Sequence, residues 1–307
     1  MIFRLHVLNP GMKANTGQRK YMQKKYFKRS EGTLAYSDYG ADGELVLMLP
    51  GMGALRSEYR YLAPSLSKAG YHAITVDLRG QGESSAPWKN YDVPSVAGDI
   101  LDLIDYLNIG PAHIIGTSFA PAPIVWAAAE HPEQIRSLVL ISPFVREVKI
   151  NPVMLALFWL MMNNPWRIRT WIMYYSSLFP SHKPADFKDY LQELRKNLSE
   201  PGRFDAVKRL GNSSRKPSNE RLKRVKAPAL VIMGTKDPDF PYPEKEGRIV
   251  ANEIGGTLEL VEGAGHYPQT EMPEVTTQFV LEFLNRCSSQ GAVVQQDELI
   301  QTKKLHD

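Results

Sequence analysis

Short apolar runs recur along the chain, separated by polar turns: Leu45 to Leu49, His72 to Leu78, His113 to Ile115, Leu138 to Ile141, Leu230 to Met233 and Leu258 to Val261. Runs of this length read as buried strands, and the longer stretches between them carry a helical period. Val96, Ile100, Leu103, Ile104 and Leu107 recur at that period while Asp99, Asp102 and Asp105 take the other faces, which predicts an amphipathic helix packed on a sheet. A second helix is predicted from Pro273 to Arg286, with Val275, Phe279, Leu281, Phe283 and Leu284 as its apolar positions and a proline in its first turn. Strands alternating with crossover helices predict an α/β fold with a mainly parallel, doubly wound sheet.

The alternation breaks once, between Ile141 and Leu230. Roughly 75 residues there are too many for a connecting loop, so a structured insertion is expected over 146–217, within a core made of 25–145 and 218–287. Its first half is rich in aromatic residues (Phe158, Trp159, Trp166, Trp171, Tyr174, Tyr175, Phe179) and its second half is charged and helix-prone, which reads as a helical cap. So many large apolar groups cannot all face water. Some are expected to form the seam with the sheet, and Trp159, Met162 and Trp166 to line a lipophilic substrate pocket.

Composition narrows the class. An apolar fraction of 43% over 307 residues supports a sizeable core. The single cysteine, Cys287, excludes an internal disulfide and suits a reducing compartment, so a cytoplasmic location is expected. The net charge of +4 is unevenly placed: Arg4, Lys13, Arg19, Lys20, Lys24, Lys25, Lys28 and Arg29 precede the first acid, and the remainder is net acidic. Residues 1–24 therefore read as a solvated basic tail, which is no footprint for nucleic acid, and 288–307 as a poorly ordered C-terminal tail. Arg4, His6, Asn9, Pro10 and Lys13 interrupt any early apolar stretch and argue against a secretory signal. Val153 to Met162 stops at Asn163 and Asn164, well short of the roughly 20 residues of a spanning helix. It predicts a buried or interfacial helix and no integral membrane segment. A monomer or weak homodimer acting on a small molecule is expected. No Cys/His cluster suits zinc and no Gly-x-Gly-x-x-Gly follows a strand, so neither metal nor organic cofactor is expected.

The candidate chemistry begins at His113-Ile114-Ile115-Gly116-Thr117-Ser118-Phe119-Ala120, where an apolar strand runs into a small-x-Ser-x-small turn and then an alanine-rich helix. A strand-to-helix turn this tight needs small residues two before and two after its centre, here Gly116 and Ala120, and it holds Ser118 proud of the sheet as a nucleophile. A serine hydroxyl needs a neighbouring base, for which histidine has the most suitable unperturbed pKa. Of seven histidines, His266 alone sits on a glycine-rich loop right after a late strand.

With Leu49-Pro50-Gly51-Met52-Gly53 after an early strand, Asp77 to Ser84 after the next, Gly234-Thr235-Lys236-Asp237 and Gly263-Ala264-Gly265-His266 after late strands, the chain resembles the α/β-hydrolase superfamily, in the serine-nucleophile branch with a helical cap. The resemblance covers about Lys25 to Arg286; Pro50 and Ala120 stand where many relatives carry histidine and glycine. It implies a triad of Ser118, Asp237 and His266, because the acid is expected directly after Gly-x-x, with Asp239 as the rival. It also implies an oxyanion hole made by the backbone N–H groups of Met52 and Phe119. Asp77 to Ser84 is expected to be a structural loop. The activity implied is hydrolysis of a carboxylic ester through an acyl-enzyme. Lactone opening, carbon–carbon bond hydrolysis and perhydrolysis use the same constellation, and a small-molecule receptor on this fold is the alternative from another class.

Overall fold

The computed structural model describes residues 22–147, 152–163 and 165–304. The elements in chain order are β1 (Gln23–Lys28), β2 (Thr33–Asp38), β3 (Leu45–Leu49), α1 (Leu62–Lys68), β4 (His72–Val76), α2 (Val93–Leu107), β5 (Ala112–Thr117), α3 (Pro121–Glu130) and β6 (Ile135–Ile141). There follow α4 (Pro152–Asn163), α5 (Arg167–Ser177), α6 (Phe187–Leu198), α7 (Arg203–Gly211), α8 (Lys216–Asn219), β7 (Ala229–Gly234), α9 (Pro243–Ile254), β8 (Thr257–Val261), α10 (Pro268–Glu271) and α11 (Pro273–Lys304). One sheet of eight strands has the order β1-β2-β4-β3-β5-β6-β7-β8. The pairs from β4 to β8 are parallel, and β1 and β2 run antiparallel at one edge.

Strand alternation explains the two apolar layers. In β3, Leu45, Leu47 and Leu49 join the cluster that holds Val96, Ile100 and Leu103 of α2, Ile124 of α3 and Val250 of α9. Val46 and Met48 join the opposite cluster, with Leu62 and Leu66 of α1 and Phe283 and Leu284 of α11. Both faces are covered, so these strands read as continuous apolar runs. Helix α2 follows the predicted period and is closed at both ends: the Asp92 carboxylate accepts from the Ser95 N–H at 2.8 Å, and Asn108 ends the helix at φ +50°.

Three sequence expectations change. The β1–β2 hairpin had no apolar signature, and its lysines, read as part of a basic tail, are counter-ions of the core: Lys24 pairs with Glu83 and Lys25 with Asp38, while Arg29, just after β1, meets Asp99 and Asp102. Residues 1–21 of that tail lie outside the described residues. Helix α11 continues through the expected C-terminal tail to Lys304, because Ser288 to Lys304 contains no proline to stop it. Asp99, expected on a solvated helix face, is 5% exposed and takes the Arg79 guanidinium at 2.7 and 2.8 Å.

The insertion between β6 and β7 is helical as expected, with α4 to α7 closing over a third cluster that contains Met162, Trp171, Tyr175, Tyr190 and Phe204. Among the described residues, no helix is long and apolar enough to cross a membrane.

The loop after β4 sets the floor of the site. Asp77 is fully buried and accepts from the N–H groups of Arg56 and Glu83 at 2.8 and 2.9 Å and from the Arg56 guanidinium. Ser84 Oγ closes the loop by donating to the Asp77 carbonyl at 2.8 Å. Removing the Asp77 carboxylate leaves two N–H groups without their acceptor and Arg56 with Glu83 as its remaining carboxylate. Asp77→Ala is therefore expected to lower unfolding stability by about 3–5 kcal/mol, read as a fall in the urea midpoint; a midpoint like that of the unsubstituted protein would show that the loop does not depend on this carboxylate.

Candidate active site

The turn after β5 places Ser118 at φ +62°, a left-handed conformation that side chains other than glycine seldom adopt. The neighbours hold it there. Ser118 N–H donates to the Ile141 carbonyl at 2.9 Å, and the Ser118 carbonyl accepts from Phe144 N–H at 2.9 Å, so the turn is pinned to the end of β6. A Cβ at Gly116 would lie 2.3 Å from Ile124 Cδ1 and 3.1 Å from Ala120 Cβ, which is why this crossing of strand and helix accepts only small residues.

The loops after β7 and β8 bring the imidazole to the same end of the sheet. His266 Nδ1 lies 2.8 Å from Asp237 Oδ2 and 3.7 Å from Asp239 Oδ2, so Asp237 makes the hydrogen bond. The other Asp237 oxygen accepts from Asp239 N–H at 3.0 Å. Asp239 is occupied by the cap, accepting from Tyr174 Oη at 2.7 Å. The Nε2 edge of His266 is buried and bonds to no described residue, Ser118 Oγ included; catalytic contacts of this kind commonly tighten only when substrate binds. Burial opposes protonation of His266, but the charges of Asp237 and Asp239 and the Asp237 hydrogen bond outweigh it and push its pKa up to about 9.

The early loop contributes backbone donors. Gly51 N–H is taken by Glu58 Oε2 at 3.3 Å and Gly53 N–H by Gln81 Oε1 at 2.7 Å, whereas Met52 N–H between them and Phe119 N–H after the serine meet no protein acceptor among the described residues. A Cβ at Gly51 would stand 3.1 Å from Ser118 Cβ, so the loop can pass this close only as glycine.

Glu58 was not legible in the sequence. Its carboxyl is wholly buried behind the site, where it takes Gly51 N–H and Gln269 Nε2, while Gln269 also donates to Thr117 Oγ1 at 3.1 Å. Burial raises its pKa to about 7, against the opposing hydrogen bonds of Gly51, Thr117 and Gln269 and the attraction of His266. It ties the early loop, the nucleophile turn and the helix after His266 into one polar knot. Glu271 does the same for the cap, accepting from Ser181, His182 and Gly265 N–H at 2.8, 2.7 and 2.6 Å.

The expected pocket residues separate. Met162 is 3% exposed and joins the cap cluster against which Met52 packs, but Trp159 and Trp166 are 65% and 67% exposed and are not brought to the site. Helix α4 is apolar on every side, so composition could not tell its inner face from its outer one. The apolar wall comes instead from Phe144 and Phe240, whose stacked rings lie 5.7 and 6.2 Å from the His266 ring, and from Phe158, near Met52.

Among the described residues, Asp237, Asp239 and His266 are the group whose ligand atoms could surround a metal, all within 4.8 Å of one another. In the structure His266 Nδ1 and Asp237 Oδ2 bond each other and Asp239 Oδ2 takes Tyr174. One end of the sheet thus gathers an imidazole with Nε2 unbonded, a serine in a strained turn and two unengaged N–H groups, the kinds of group that acyl transfer uses.

A family model described as alpha/beta hydrolase fold matches residues 44–273. A 2-hydroxy-6-oxononadienedioate/2-hydroxy-6-oxononatrienedioate hydrolase of Burkholderia vietnamiensis is 27% identical over 82% of this chain and 90% of its own length. A 3-oxoadipate enol-lactonase of Acinetobacter baylyi is 24% identical over 70% of this chain and 79% of its own. The crystal structure of a bromoperoxidase from Bacillus anthracis superposes with a TM-score of 0.76 at 20% identity, covering 86% of this chain and all of that one, which is a likeness of fold.

Two acids beside one imidazole can be told apart. Asp237→Asn is expected to lower kcat by about 10⁴-fold through loss of the imidazole tautomer. Asp239→Asn should retain most activity and move the acid limb of kcat/KM to lower pH, since it removes a negative charge that favours the imidazolium. A larger loss from Asp239→Asn would exchange the two roles.

Proposed function

The chain belongs to the alpha/beta hydrolase fold family, and from that premise we propose that it is a serine hydrolase cleaving carboxylic esters of small, lipophilic substrates through an acyl-enzyme. One observation carries the reading: a serine held at φ +62° shares its end of the sheet with an imidazole gripped at Nδ1 and unbonded at Nε2. Single cysteine usage and the lack of a spanning helix among the described residues favour a cytoplasmic setting.

In this mechanism Ser118 Oγ forms a bond to the ester carbonyl carbon as its proton passes to His266 Nε2. The carbonyl oxygen becomes an anion between Met52 and Phe119 N–H, where donors fixed in advance are each worth about 10²-fold to 10³-fold in rate. The bond to the alcohol oxygen then breaks, and the alcohol leaves with the proton from Nε2. Water repeats the sequence on the acyl-enzyme and releases the acid. Asp237 holds Nδ1–H throughout and stabilises the imidazolium. A lactone is a cyclic ester that opens by the same steps, and the name of the Acinetobacter relative favours this as the second reading.

Neutral imidazole is the active form, so a pKa raised to about 9 places the acid limb of kcat/KM well above that of an ordinary histidine, with activity climbing as pH rises through it. Ser118→Ala should lower turnover of a 4-nitrophenyl ester by about 10⁶-fold with the fold intact, and the loss should not add to that of His266→Ala. Along a series of 4-nitrophenyl esters, kcat/KM should rise about 4-fold per methylene, the equivalent of about 0.8 kcal/mol, until the apolar wall is full. A folded Ser118→Ala protein keeping more than a few per cent of its activity, or a steady fall from acetate upward, would overturn the catalytic or the substrate half of the reading respectively.

A further inference from the structure

Helix α4 packs on the cap cluster through Phe158, Met161 and Met162. Phe158 reaches the neighbourhood of Met52 and Gly211, and Met162 is buried in the cap cluster, yet Leu157 and Trp159 on the flanking faces are 56% and 65% exposed. The next helix continues this surface. Trp166, Arg169 and Met173 follow one another along a ridge of α5 and its N-terminal turn, with Trp166 at 67% and Met173 at 63% exposure. The two helices are packed together, with Thr170 Oγ1 of α5 lying 3.3 Å from the Met161 carbonyl of α4. Isolated exposed apolar residues are ordinary, but large ones gathered on two adjoining helices mark a contact surface.

Charge selects the partner. No Asp or Glu occurs between Glu147 and Asp186, whereas Lys149, Arg167, Arg169 and Lys183 do. In the structure Arg169 is exposed, Lys208 of α7 donates to Asn163 Oδ1 at the end of α4 at 2.7 Å, and Lys183 donates to Ser176 Oγ at 3.1 Å. Asp205 of α7 lies 3.6 Å from Arg167. A second copy meeting the same face would set this cationic rim against its like, which disfavours a symmetric dimer. Tryptophans flanked by arginines and lysines around an apolar surface suit the boundary between phospholipid headgroups and acyl chains, and the apolar helix is too short to span it.

We infer that the cap docks through the outer faces of α4 and α5 onto an anionic phospholipid surface. The inner edge of α4 packs near Met52, on the loop that passes Ser118 at Gly51, so docking sets that side of the site towards the lipid. The inference is independent of the hydrolytic reading, because its readout is binding.

The test is co-sedimentation of the full chain with vesicles of phosphatidylcholine alone and of phosphatidylcholine with about a third phosphatidylserine, a composition whose negative surface attracts basic segments. Tryptophan emission serves as a second readout, since Trp159 and Trp166 should shift to shorter wavelength on docking. Binding is expected to be at least about 10-fold tighter with phosphatidylserine, to weaken with salt, and to fall at least about 10-fold in L157D/M173D. Both substitutions are at exposed positions, and an unchanged thermal midpoint would show that the variant is folded. Absence of binding to either vesicle overturns the inference. So does binding that is unaltered in folded L157D/M173D, which would place the contact elsewhere, or a dimer in lipid-free solution that this variant dissociates, which would assign the face to a second copy.

Discussion

Ser118 is held in a backbone conformation that costs energy, and much of the molecule around it meets that cost. The strain is tolerated because the turn is over-determined: backbone hydrogen bonds tie it to β6 and beyond on both sides, Gly116 and Ala120 remove the side chains that would collide, and Thr117 below it belongs to the knot around Glu58. The parallel sheet supplies the rigidity. Strand β5 lies between β3 and β6, so the turn leaves from the middle of the sheet, with the loop of Met52 on one side and the loops of Asp237 and His266 on the other.

A parallel sheet covered on both faces announces itself in sequence, because every residue of a strand such as β3 is apolar and turns punctuate the runs. That made β3 to β8, α2 and the cap readable. The edge hairpin was not, since four of the six β1 residues are exposed and none is buried, and its lysines look like those of a tail until Asp38 and Glu83 are seen beside them. Ser118 and His266 were legible because strain and glycine-rich turns leave marks in the local sequence. Asp237 over Asp239 rested on resemblance, and geometry supplies the reason: two residues apart, one reaches the imidazole and the other is taken by Tyr174.

Glu58 shows what no local pattern carries. It lies in a short helical turn among residues of no special type, and its importance comes from partners distant in the chain, Gln269 and Thr117. The Trp159 and Trp166 misplacement has a related cause. Hydrophobicity says that a side chain seeks a nonpolar neighbour, and only the orientation of α4 says whether that neighbour belongs to the same molecule.

Glu271 gives the cap a mechanical asymmetry. By gripping Ser181 and His182 on the cap side and Gly265 on the loop after β8, with Leu178 accepting from His266 N–H at 3.0 Å, it welds the end of the α5 segment to the residues that carry the His266 imidazole. Trp171 adds a second weld through its indole N–H to the Gly53 carbonyl at 3.1 Å. That corner of the cap and the loop that sets His266 against Asp237 therefore share their hydrogen bonds. Helix α4 meets the early loop by side-chain packing instead, Phe158 and Met162 sharing a cluster with Met52, so the cap is fastened to the site by directional hydrogen bonds at one end and by nondirectional apolar contact at the other.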